Sequence, residues 1–114
     1  MRQALEDDGP VLSALDAGCG RVRVLSRQCV TCIFARGNRM ALEPGRVAHM
    51  VADALAGDGH IVCHDTLPYG RYPQADPAVC RGFWNRHRLD SLFTRLALCL
   101  GSIDYVDPPG QVRP

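Results

Sequence analysis

Four of the six cysteines follow the spacing C-x2-C-x30-C-x16-C, at Cys29, Cys32, Cys63 and Cys80. This spacing constrains the fold more than any other feature of the chain. A CxxC turn lets two thiolates face one ion or cluster while nearby backbone N–H groups offset their charge. The other two thiols come from distant segments, so a shared centre would tie residues 29 to 80 into one unit. Cys80 opens a helical pattern, where the positive end of the helix dipole favours a thiolate.

A chain of 114 residues reads as one domain with a thin core, the situation in which a metal or a disulfide supplements apolar burial. The opening "MRQALEDDGPVLSALD" is acidic and mixed, without the basic start and apolar run of a secretory leader. No run approaches the roughly 20 apolar residues of a membrane span. The expected compartment is therefore the cytoplasm, where thiols more often bind metals or catalyse than form disulfides.

The sequence predicts an α+β fold: a small single domain with short strands and about three helices around a four-cysteine metal centre. Residues 1–20 read as a weakly ordered lead-in with a helical turn at "VLSALDA", residues 21–108 as the metal-binding domain, and residues 109–114 as a tail. "RVRVLS" alternates as a strand with Val22 and Val24 inward. "EPGRVAHMVADALAGDG" is the strongest helix, with Val47, Val51, Ala54 and Leu55 on one face and Gly57 as its stop. On the other face His49 and Asp53 form a solvated i, i+4 pair.

"HIVC" reads as a short strand, and "IDYV" as a last one. Between Cys63 and Cys80 lies a proline-rich stretch, longer than loops in compact domains usually are unless something holds them. A helix is expected from about residue 78 to 87 and another from 89 to 100. The second carries a stripe of Leu89, Leu92, Phe93, Leu96, Cys99 and Leu100. On that stripe Cys99 reads as a small core residue, and Cys19, between two glycines, as a spare thiol.

For Cys29, Cys32, Cys63 and Cys80 the expected cofactor is a [4Fe-4S] cluster, which takes one cysteine per iron and has no need of a second CxxC. Zinc is the alternative, although structural zinc sites usually show two CxxC knuckles. The absence of any metal is the third option. Histidine ligation is disfavoured: His64 would point away from Cys63 on a continuing strand, and His87 lies about 10 Å along a helix from Cys80.

The segments "CVTCIFARGNRM", "EPGRV", "VCHDTLPYG", "PAVCRGFW" and the closing helix with "VDPP" resemble an uncharacterised family of small four-cysteine proteins from actinobacteria and their bacteriophages. The resemblance covers roughly residues 24 to 109. It implies the same four cysteines and a cytoplasmic protein, and it implies no established activity. Where relatives carry arginine-proline after the CxxC, this chain has Ala35-Arg36. The cysteine spacing is also similar to that of iron-sulfur uracil-DNA glycosylases, whose catalytic motifs are lacking here.

Three function classes follow. The first is a non-enzymatic regulator or adaptor that presents Arg81, Arg86, Arg88, Tyr69 and Tyr72 to a protein or nucleic acid. The second is a redox or iron sensor. The third is a thiol oxidoreductase using the CxxC pair, disfavoured because Gly37-Asn38 forms a turn where a redox helix would run. Neighbours Cys63, His64 and Asp65 cannot fold into a catalytic triangle with one another, and no phosphate loop or dinucleotide fingerprint is present.

Overall fold

The computed structural model describes residues 13–16, 18–38 and 40–110. Within them lie a three-stranded sheet, three α-helices and one 3-10 turn. In chain order these are β1 (Leu15–Asp16), β2 (Arg21–Leu25), α1 (Arg46–Ala56), the 3-10 turn (His64–Thr66), α2 (Arg81–His87), α3 (Leu92–Leu100) and β3 (Ile103–Val106). The small α+β single domain expected from the sequence is what forms.

β2 is the centre of the sheet. It pairs antiparallel with β1, Leu15 opposite Val22, and parallel with β3, in the register Val22–Ile103 to Leu25–Val106. The alternation of "RVRVL" sends Val22 and Val24 into the core as predicted, while Arg23 reaches back to Asp16 and to the Pro77 carbonyl. On the edge that β2 shares with β1, Val79 continues the pairing: its N–H donates to the Arg23 carbonyl at 2.9 Å, and its carbonyl accepts from Leu25 at 3.1 Å.

Val79 also bridges Val62. Cys63 N–H donates to the Ala78 carbonyl at 2.8 Å, and Cys80 N–H to the Ile61 carbonyl at 2.8 Å. This short antiparallel neck replaces the strand expected at "HIVC", and it holds Ala78–Cys80 extended, so α2 begins only at Arg81. The proline-rich loop is therefore closed at its base. Thr66, buried inside it, completes the stitch: its hydroxyl donates to the Cys63 carbonyl at 2.8 Å and accepts from Ala78 N–H at 3.1 Å.

α1 forms where expected and ends at Gly57. It carries no fully buried residue; Met50, Val51, Ala54 and Leu55 lie half-buried against the core. His49 and Asp53 form the predicted exposed i, i+4 pair at 3.1 Å. The core itself centres on Val24, Leu25, Val79 and Phe83, all at most 1% exposed. Burial of a side chain such as Phe83 contributes about 3 kcal/mol.

Two expectations are corrected. In the lead-in, Leu15 and Asp16 pair with β2 rather than forming a helical turn; Val11, Leu12 and Ala17 of that stretch lie outside the described residues. The helix expected from 89 starts only at Leu92, and the leucine stripe faces outward: Leu89, before α3, is 65%, Leu92 45%, Leu96 50% and Leu100 72% exposed, and Cys99 is exposed with them. The buried face is Thr94 and Ala97. Polar anchors at the helix start set this orientation, because Ser91 Oγ donates to the Gly59 carbonyl, Leu92 and Phe93 N–H donate to Asp58, and Thr94 Oγ1 donates to the Arg88 carbonyl at 2.7 Å. The Thr94 bond is made with that side chain turned inward.

His60 fastens β1 to this arrangement. Its ring stacks on Phe93 with centroids 4.1 Å apart, and Nε2 accepts from Ala14 N–H at 3.2 Å. Burial lowers its pKa, so the folded state favours the neutral ring. The resulting stability is complete above the unfolded value of about 6.5 and is lost as pH falls from there through the depressed folded value. The expected result is a melting temperature that drops between pH 7.5 and 5.5 by more in the native protein than in a His60→Gln variant; equal drops would refute the assignment.

Candidate metal centre

Three segments deliver the four spaced cysteines to one place. Cys29 and Cys32 sit on the turn after β2, where Cys32 N–H donates to the Cys29 carbonyl at 3.2 Å and Ala35 N–H to the Cys32 carbonyl at 3.0 Å. Cys63 ends one side of the neck and Cys80 the other, immediately before α2. All four are buried, and they line one cavity of about 40 Å³ together with Ile33, Met50, Ile61, Val62 and His64.

The sulfurs form a chain of contacts. Cys32 and Cys80 Sγ are 4.0 Å apart, and the Cys29 thiol lies against those of Cys32 and Cys63. Contacts with the Cys29 and Cys80 thiols, aided by the Phe34 and Gly82 N–H groups, hold Cys32 far below the ordinary thiol range. Contact with Cys29 and the Asp65 N–H likewise lower Cys63, against its burial. Their partners move the other way: contact with neighbouring thiols and burial push Cys29 and Cys80 up. Four buried sulfurs brought together, with backbone N–H groups aimed at three of them, form a site suited to a cation.

Gly82 makes the close approach possible. A Cβ there would stand 2.6 Å from Cβ and Cδ2 of Phe34, so only glycine lets the first turn of α2 lie against the CxxC turn. Arg86 closes the same junction, with its guanidinium 5.1 Å from the centre of the Phe34 ring and Nη1 donating to the Gly82 carbonyl at 3.3 Å.

A donor that sequence reasoning set aside belongs here. The chain does not continue as a strand through His64 but turns in the 3-10 segment, bringing Nε2 to 3.6 Å from Cys29 Sγ. Nε2 also lies 2.8 Å from Thr31 Oγ1, and Nδ1 lies 3.4 Å from Asp65 Oδ1. Asp65 is 2% exposed and receives Arg71 through Nη2 on Oδ2 at 2.8 Å and Nε on Oδ1 at 3.2 Å. Cys29, His64 and Asp65 thus bring a sulfur, a ring nitrogen and a carboxylate oxygen within 4.8 Å of one another, a group that could hold a metal ion. The signal in the sequence was the "CHDT" stretch itself: an Asp-Thr pair directly after Cys-His is suited to a tight turn, not a strand.

The remaining candidates lie apart from the cavity lining. His87 pairs with Asp90 at 2.9 Å. Cys19 and Cys99 are exposed. Arg81 stands over the Tyr105 ring and donates to Asn85 and to the Leu25 carbonyl, while Arg88 donates to the Trp84 and Asn85 carbonyls. Tyr69 is 74% exposed, whereas Tyr72 lies beneath Arg71 and against Gly110. Among the described residues no helix is long and apolar enough to cross a membrane. Comparison of the chain with protein-family models, curated proteins and solved structures finds no match.

Proposed function

We propose that this protein is a non-enzymatic, metal-stapled regulator or adaptor whose centre is one zinc ion held by Cys29, Cys32, Cys63 and Cys80. The observation that carries the reading is how closely two of the sulfurs approach each other. Zn–S bonds of about 2.3 Å at tetrahedral angles place sulfurs about 3.8 Å apart, close to the 4.0 Å between Cys32 and Cys80. A [4Fe-4S] cluster, favoured by the spacing alone, puts four irons and four sulfides between its thiolates and needs far more room.

Zinc with four thiolates carries a net charge of −2, which Arg86 and the N–H groups at the CxxC turn offset. The module would meet a protein or nucleic acid through the α2 arginines and the segment from Tyr69 to Tyr72. Arginines bound to carbonyls keep their full charge, and Tyr69 stands out from the surface with no core role.

The test is elemental and sulfide analysis of protein purified without air. One zinc per chain in a colourless protein is expected; a brown, sulfide-containing protein would replace zinc by a cluster. On the same material, Arg88→Ala combined with Tyr69→Ala is expected to abolish partner retention at low salt with zinc content unchanged.

A further inference from the structure

We propose that His64 is a fifth, spare ligand of the centre, placed to take the coordination position of Cys29 when that thiolate is withdrawn. The inference rests on the four-thiolate reading above and deepens it. His64 lines the same 40 Å³ cavity as the four cysteines, and its Nε2 is 3.6 Å from the sulfur it would replace. Moving Nε2 into the space of that sulfur converts a set of four thiolates into one of three thiolates and an imidazole, both of which hold tetrahedral zinc.

The surroundings of His64 are those of a metal-binding imidazole. Histidine ligands characteristically give their second ring nitrogen to a carboxylate, which fixes the tautomer and the ring plane. Here Nδ1 faces Asp65 Oδ1 at 3.4 Å, and Asp65 is itself fixed by the two-pronged Arg71. Thr31 Oγ1, 2.8 Å from Nε2, occupies the nitrogen while Cys29 holds the position. Cys29 is also the only one of the four cysteines for which a side-chain contact to a nitrogen donor is seen among the described residues. Cys32 and Cys80 face each other instead.

The experiment uses cobalt(II) as the probe, in the full chain with exposed Cys19 and Cys99 replaced by serine. Cobalt bound to thiolates gives a charge-transfer band whose intensity counts them. Native-site protein is expected to bind one ion with the intensity of four thiolates. Cys29→Ala should still bind one ion with the tetrahedral d–d spectrum and a charge-transfer band about a quarter weaker, since three thiolates remain of four. Cys32→Ala should lose the ion, and so should Cys29→Ala combined with His64→Ala.

Loss of the ion from Cys29→Ala as complete as from Cys32→Ala would overturn the spare-ligand role, as would retention by the double variant. If Cys29→Ala does not fold, the folded His64→Ala protein supplies the comparison. Under stepwise blocking by a mercurial thiol reagent, His64→Ala should release its zinc with the first site thiol and the native histidine only with the second. Identical release curves would refute the proposal. Failure of the native site to bind any ion would instead overturn the four-thiolate reading, and this inference with it.

Discussion

Stripping the proposed ion with a chelator, or replacing Cys32 by serine, is expected to unfold the domain rather than merely empty a site. Four of the fourteen buried apolar residues described are the spaced cysteines, and α1 contributes no fully buried side chain. Without an ion, the buried sulfurs at the centre repel one another as thiolates or compete for protons. Structural zinc binding contributes about 10–16 kcal/mol in small modules, against a net stability of about 5–15 kcal/mol for ordinary domains. Circular dichroism and limited proteolysis should therefore report loss of structure in the chelated protein, restored by one equivalent of zinc, and no such rescue in Cys32→Ser. A fully folded, protease-resistant apo-protein would overturn the staple. Cys99→Ser, at an exposed position, should leave both readouts unchanged.

The second large effect is expected from the smallest substitution. Gly82→Ala puts a methyl group 2.6 Å from Phe34, so either the CxxC turn or α2 must move. Overpacking of this kind costs about 1–3 kcal/mol, and the displaced turn carries two of the proposed ligands. The same shift draws the Gly82 N–H away from Cys32, removing one of the dipoles that favour its thiolate. Zinc affinity, measured by competition with a metallochromic chelator, should fall by at least tenfold, while Gly57→Ala, near only the carbonyls of α1, should leave it unchanged. Equal affinities in the two variants would show that the approach of α2 to the turn does not govern the site.

Much of this architecture was legible in the sequence because it depends on local patterns. The period-2 alternation of β2, the apolar face of α1 and the closing "IDYV" strand all form where their periods place them. Convergence of Cys29, Cys32, Cys63 and Cys80 was legible from spacing, once Cys19 and Cys99 were set aside. What failed depended on side-chain hydrogen bonds between distant residues. The leucine stripe of α3 has the period of a core face, but Asp58, Gly59 and Arg88 hold the helix the other way round. A continuing strand would point His64 away from Cys63, but the Thr66 stitch turns that segment into a 3-10 turn. The anchoring of the proline-rich loop by Asp65 and Arg71, six residues apart in sequence, has no periodic signature at all.

The parallel pairing of β2 with β3 has a consequence for how the chain assembles. Two adjacent parallel strands cannot be joined by a tight turn, so everything from Ser26 to Ser102 is one crossover, and all four spaced cysteines lie inside it. Closing a loop costs about 0.6 kcal/mol for each doubling of its length. An ion that first joins residue 29 to residue 80 shortens the span that β3 has left to close. The order this favours is ion capture early and β3 last, so the final strand would act as the latch on a crossover already tied, and a chain starved of metal would stall with that latch undone.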